Sequence, residues 1–235
     1  MKKLKETENI LVLGIFLGVC AAIAALVLAY VAKVTDEPIK KMKMQEVNNA
    51  LKEVLPAFDN SPGNNIFKKD GVTFYGAMKD GKLVAVAASG KTMKGYSGKI
   101  VAMVGLDLTG KIRTIAEVDG KKLSALLITE QKETPGLGTV VCERKRQKTI
   151  VSIFEKPGKD AHLPANNKIL DQFADKKAGK TPWQVTKAGG KFDYMTGATI
   201  SSKAVTGVVY NIAHTFVVNR VEIIKELSKA AKQGI

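Results

Sequence analysis

Hydrophobic and polar positions fall into three regimes along the chain. Residues 10–32 carry no charge, and at 1.5 Å per helical residue they reach about 34 Å, close to the hydrocarbon thickness of a bilayer. This predicts one uncleaved transmembrane helix, since the apolar region of a signal peptide covers only about 7–15 residues. After Pro38, Ile39, Met42, Val47, Ala50, Leu51, Val54 and Leu55 recur near helical spacing among lysines and glutamates, which predicts a helical stalk ending at Pro56. Strand-like runs at 72–78 and 83–88 flank Asp80-Gly81, and others at 100–108 and 112–118 flank Thr109-Gly110, so both pairs are predicted hairpins. From Ser201 to about Lys232, Val205, Val208, Val209, Ile212, Phe216, Ile223, Ile224 and Leu227 trace one face of a closing helix, interrupted at most near Asn219. The organisation expected is a tail (1–9), a span (10–32), a stalk and linker (33–70) and a domain (71–235), with an α+β fold.

Composition narrows the chemistry. The 235 residues are 45% hydrophobic and 25% charged, which excludes collagen-like and disordered classes. A net charge of +15 invites an anionic partner or surface. The basic residues are scattered, aromatics make up 6% and no recognition motif is present, so no nucleic-acid partner is expected. Lysines flank the span on both sides, at Lys2, Lys3 and Lys5 and at Lys33, Lys40, Lys41 and Lys43, and their count does not set its orientation. Gly14, Gly18 and Ala22 form a small-residue stripe suited to a neighbouring membrane helix. Cys20 and Cys142 are too far apart for a thiol metal motif, and neither His162 nor His214 has a partner at helical spacing. No metal site is expected. Trp183 reads as a core residue. The stretch 143–167, with Arg144, Lys145, Arg146 and Lys148 and a short apolar piece at 150–154, reads as a surface excursion.

The chemistry concentrates just before the closing helix, in Asp193-Tyr194-Met195-Thr196-Gly197-Ala198-Thr199, followed by Ser201 and Ser202. A helix start offers free N–H groups and the positive end of a dipole, which together hold a phosphate. Equally, Thr199, Ser201 or Ser202 could simply cap the helix. Sixty residues upstream, Glu133-Thr134-Pro135-Gly136-Leu137-Gly138 combines one fixed dihedral with two permissive ones, and reads as a rigid loop with exposed N–H groups.

These segments resemble the D-x-x-[ST]-G-A-T signature and the E-T-P-G-L-G loop of the FMN-binding domain family. Gly95-Tyr96-Ser97-Gly98-Lys99-Ile100 is similar to the G-Y-x-G-x-I that opens the family's β-core. The resemblance runs from about residue 71 to 209 and is weakest over 143–168. It implies an antiparallel β-core with a long C-terminal helix, and FMN attached covalently through its phosphate to Thr199. It also implies an element made of Asp193, Thr196, Gly197 and Ala198 that a flavin transferase reads, and phosphate contacts from Ser201 and Ser202. Glu133, Thr134, Gly136, Leu137 and Gly138 would complete the cofactor site. The family often carries His where this chain has Gln131.

One anchor followed by this domain resembles the membrane subunits of the Rnf ion-translocating electron-transport complex and, next to them, those of the sodium-pumping NADH:quinone reductase; the short chain fits the first type better. The implied role is an electron carrier without a catalytic acid or base, on the extracytoplasmic face of the cell membrane. Its implied partners bear iron–sulfur clusters and a second flavin, and couple ferredoxin:NAD+ electron transfer to Na+ or H+ export. A non-redox anchored binding module with Thr199 as a helix cap is the competing reading.

Overall fold

The computed structural model describes residues 2–118, 120–144 and 165–233. The chain forms two compact units, Met1–Gln45 and Glu46–Ile235. The first is made by helix α1 (Lys2–Val54) up to Gln45, and the end of that helix belongs to the second unit. From Ile10 to Val34 its large apolar side chains expose 51–70% of their surface. A helix that is apolar on every side needs an apolar surrounding, and this one is long enough to cross a bilayer. It continues through Pro38, where the sequence predicts a fresh start. The proline has no N–H for the preceding turn, which is held locally by the Thr35 hydroxyl donating to the Val31 oxygen at 2.8 Å.

The second unit is built on a five-stranded antiparallel sheet, in the order β1 (Ile66–Lys69), β2 (Val72–Lys79), β3 (Lys82–Gly95), β4 (Gly98–Leu106) and β7 (Leu126–Gln131). Strand β1 lies inside the stretch that reads as stalk and linker. The first predicted hairpin forms, with Asp80 and Gly81 both at positive φ (51° and 71°), as an Asp-Gly turn requires.

The second predicted hairpin does not form. Leu106 and Ile112 make only an isolated bridge, because Asp107 Oδ1 draws the Thr109 and Lys111 N–H groups, at 2.8 Å each, into a tight loop. Beyond that loop β5 (Thr114–Val118) pairs with β6 (Lys121–Ser124) in a separate two-stranded sheet. The free edge of β4 goes to β7, with Ile100 opposite Gln131 and Val104 opposite Leu126.

Alternation along the strands sends side chains to two cores. Phe74, Val86, Ala88, Ala102 and Val104 pack beneath α4 (Thr199–Val218) and α5 (Arg220–Gln233). The expected single closing helix is two helices that meet at Asn219, the one place where the sequence allows an interruption. On the other face, Tyr75, Ala85, Ala87 and Met103 pack against Ala50, Leu51, Val54 and Leu55, so the end of the predicted stalk is core. Gly105 permits this approach, since a Cβ there would collide with the Val54 carbonyl. Arg113 Nη1 donates to the same oxygen at 3.0 Å.

Around the predicted surface excursion, the described ends are anchored. Asn167 caps α3 (Lys168–Asp171) by accepting from Ile169 and Leu170 N–H, while its Nδ2 donates to the Val140 and Glu143 carbonyls at 2.9 Å each. Arg144 Nη2 meets Asp171 Oδ1 at 2.7 Å, with side chains 5% and 8% exposed. The basic residues Lys145, Arg146 and Lys148, the apolar piece at 150–154 and His162 lie outside the described residues. Arg144→Ala would leave Asp171 buried with no counter-charge paired to it among the described residues. The expected loss is about 3–5 kcal/mol in chemical unfolding of the detergent-solubilised chain, and a loss below about 1 kcal/mol would contradict this burial.

Candidate functional site

Three loops meet at one end of the sheet, because Gly95 pairs with Gly98 and Ile100 with Gln131. They are the β3–β4 turn, the Glu133 to Gly138 loop that leaves β7, and the Asp193 to Ala198 segment that enters α4. Glu133 joins them. Its Oε2 accepts from the Ser201 hydroxyl at 2.7 Å and its Oε1 from the Ser97 N–H at 3.3 Å. A Cβ on Gly95 would lie 2.5 Å from Oε1, and one on Gly138 would lie 2.5 Å from Oε2, so both glycines are required by close packing. Gln131 contributes a neutral amide beside Glu133. Its oxygen accepts from the Glu133 N–H, and its Nε2 donates to Glu143 Oε1 at 2.8 Å.

Helix α4 starts without a side-chain cap. Ala198 occupies the N-cap position and none of its side-chain atoms can serve. Gly197 precedes it at φ 86°, in the left-handed region open to glycine, and this turn lets the Ala198 N–H reach the Met195 oxygen at 3.0 Å. Helical geometry leaves the N–H groups of Thr199, Ile200 and Ser201 without partners in the preceding turn. The capping reading therefore fails. Thr199 is half-buried, and among the described residues its hydroxyl makes no hydrogen bond.

Both serines expected to hold phosphate are already hydrogen-bonded within the protein, and of the two only Ser201 also lines the cleft that Thr199 opens into. Ser202 Oγ donates to the Ala198 oxygen at 2.9 Å and accepts from the Met195 N–H at 3.1 Å, while the Ser201 hydroxyl is engaged by Glu133. Both residues are buried, because they fall on the face of α4 that meets the sheet and α2 (Gly138–Cys142). Several N–H groups of the Glu133 to Gly138 loop are engaged within the protein. Gly136 N–H donates to Thr139 Oγ1 at 3.0 Å, and Leu137 and Thr139 N–H donate to the Thr134 oxygen.

Two clefts flank this junction. Thr199 opens into one of about 440 Å³, with Tyr96, Thr134, Leu137, Gly138, Lys187, Gly197, Ala198, Ile200 and Ser201. Thr196 and Gly136 line the other, of about 680 Å³, with Thr139, Tyr194, Met195 and others. Both volumes suit a cofactor. Glu133 and Ser202 line neither. Asp193 lies outside both and pairs with Lys168 at 2.8 Å. Lys187 is the one charged side chain lining the smaller cleft among the described residues, and its Nζ stands 5.9 Å from the Tyr194 ring centroid. No spacing in the sequence marks it. A short 3-10 turn (Thr186–Ala188), closed by Gly189 at φ 78°, brings it there. Trp183 packs with Phe173, Phe192 and Tyr210 at centroid distances of 5.7, 4.9 and 5.8 Å, and His214 stacks on Tyr210 at 5.2 Å.

Residues 95–214 match the FMN-binding domain. The chain belongs to the FMN-binding domain family. It is similar to proteins named as the G component of an ion-translocating oxidoreductase complex. The one from Photorhabdus laumondii is 29% identical over 85% of this chain and 87% of its own length. Identity is 29% to that of Cereibacter sphaeroides, over 92% and 89%, and 30% to that of Shewanella baltica, over 89% and 91%. An FMN phosphate fits this domain where an uncapped helix start, an unbonded threonine hydroxyl and a lysine face the same cleft.

Cys142, at the end of α2, lies beside the Glu133 loop. Burial pushes its thiol up to about 12, with the Glu133 and Glu143 carboxylates adding to the shift. The folded chain thus holds this proton more tightly than an unfolded thiol near 9.0, and its contribution to stability declines as pH rises from about 9 to about 12. Maleimide at pH 8 should leave Cys142 unmodified in the folded chain and label it after denaturation; labelling at a free-thiol rate while folded would contradict this.

Proposed function

We propose that the chain is the membrane-anchored, FMN-carrying electron-transfer subunit of an Rnf-type ion-translocating oxidoreductase complex, with FMN joined to Thr199 by a phosphoester. One observation carries the attachment point: the Thr199 hydroxyl is unbonded and opens into a cleft at an uncapped helix start, whereas Ser201 and Ser202 beside it are already engaged. In the attachment step the Thr199 oxygen bonds to the FMN phosphorus of a flavin-dinucleotide donor presented by a flavin transferase. The donor's anhydride bond breaks, its mononucleotide leaves, and the threonine proton is released to a base of the transferase.

When bound, FMN supplies the redox chemistry. The chain supplies position and charge. N–H groups of the first turn of α4, the helix dipole and the Lys187 ammonium all favour the negative phosphoester. Tyr96, Leu137 and Ile200, exposed by 69%, 47% and 50%, give the cleft an apolar rim suited to a flavin ring or to an approaching redox partner. No side chain needs to act as an acid or base.

The relatives' shared name supports membership of a multisubunit complex, and the apolar helix supports a membrane location. In this reading residues 1–9 lie in the cytoplasm, 10–32 cross the cell membrane and the unit that begins at Glu46 stands on the extracytoplasmic side. A covalent bond has a plain use there, since FMN released outside the cell interior would diffuse away. Subunits with iron–sulfur clusters and a further flavin would exchange electrons with it, coupled to Na+ or H+ movement.

Co-expression with a flavin transferase should add one FMN-phosphoryl unit to the intact mass of the chain, and Thr199→Ala should remove that increment. With no cap bond at stake, Thr199→Ala should change stability by less than about 0.5 kcal/mol. Flavin fluorescence that stays with the Thr199→Ala chain on a denaturing gel would rule out this attachment point.

A further inference from the structure

The Glu133 carboxylate is only 4% exposed, and it links three loops that are 36 and 68 residues apart in sequence. Both oxygens act as acceptors, one from the Ser97 N–H and one from the Ser201 hydroxyl. Among the described residues no lysine or arginine bonds to it. Its positive environment is the start of α4, where Ser201 is the third helical residue and the dipole favours an anion. Gly138 and Ser201 line the cleft that Thr199 opens into, and Glu133 sits directly behind them without lining it. A charge held there, away from water, is weakly screened.

We propose that Glu133 is a positioning residue with an electrostatic effect: it aligns the three loops around the cleft, and its buried negative charge lowers the reduction potential of the flavin carried on Thr199. The inference rests on FMN attachment at Thr199. An electron that enters the cleft ahead of its proton adds negative charge, and a fixed anion behind the wall opposes it. A carboxylate with only a structural role would alter stability and leave the potential unmoved.

Spectroelectrochemical titration of the purified, FMN-loaded full chain tests this, with loading checked by intact mass. Glu133→Gln should shift the midpoint potential upward. Glu133→Asp keeps the charge and should stay closer to the unsubstituted chain than Glu133→Gln does. Should Glu133→Gln fail to fold, Glu133→Ala removes the charge together with the side chain that carries it. It should show the same upward shift. Equal potentials in charged and uncharged variants, or loss of flavin from both uncharged variants, would overturn the proposal. An unsubstituted chain that takes up no FMN would instead overturn the attachment at Thr199.

Discussion

Burial of the apolar face of α4 against the sheet is the constraint on which the rest of the site depends. Val205, Val208, Val209, Ile212 and Phe216 are each 0–3% exposed, and each contributes about 1.5–3 kcal/mol by leaving water. Gly90 on β3 lets the helix settle this close, since a Cβ there would stand 2.7 Å from Ile212 Cγ1. Once the helix is seated at that depth its first turn has only one place to go. It lies at the end of the sheet where β3, β4 and β7 release their loops, and the unpaired N–H groups of Thr199, Ile200 and Ser201 arrive there with it.

Leaving that turn uncapped has a consequence for stability and another for chemistry. A serine, threonine, asparagine or aspartate at the Ala198 position would stabilise the helix by about 0.5–2 kcal/mol. It would also occupy the N–H groups that a phosphate needs. The small residues Gly197 and Ala198 keep the approach open, and the hydroxyls that could compete are drawn away: Ser201 toward Glu133 and Ser202 toward the Ala198 carbonyl. The local rule for helix starts is broken at the mouth of the cleft that Thr199 opens into, as sites of function often do.

Charge around the cleft is divided by a wall. On the open side stands Lys187, the lysine that could face an anion in the cleft. On the closed side stands Glu133, enclosed by Gly95 and Gly138. Two anions, one buried and one arriving, can share a helix start because the dipole favours both and because the glycine positions keep the carboxylate behind the surface. Gln131 extends the network as a neutral amide, so the link from Glu133 to Glu143 carries no titrating imidazole.

Features that depend on periodicity or on a few adjacent residues were legible in the sequence. The uncharged run at 10–32, the Asp80-Gly81 turn, the helix break at Asn219 and the motif ending in Thr199 all belong to that class, since local geometry and the period of hydrophobic positions decide them. Where competition between distant segments decides, only the tertiary structure answers. Strand β5 left β4 for β6 because β7 took the edge, the end of α1 became the cover of a second core, and Pro38 was absorbed within a helix. Ser201 and Ser202 read as ligands because hydroxyls follow the acceptor; the packing of α4 decides that Ser201 bonds to Glu133 and that Ser202 bonds back to the Ala198 carbonyl. Lys187 had no signal at all until a short turn carried it to the cleft. Sequence period records which way a side chain faces on its own element; what it faces depends on the element packed opposite, and that is set by burial of the whole.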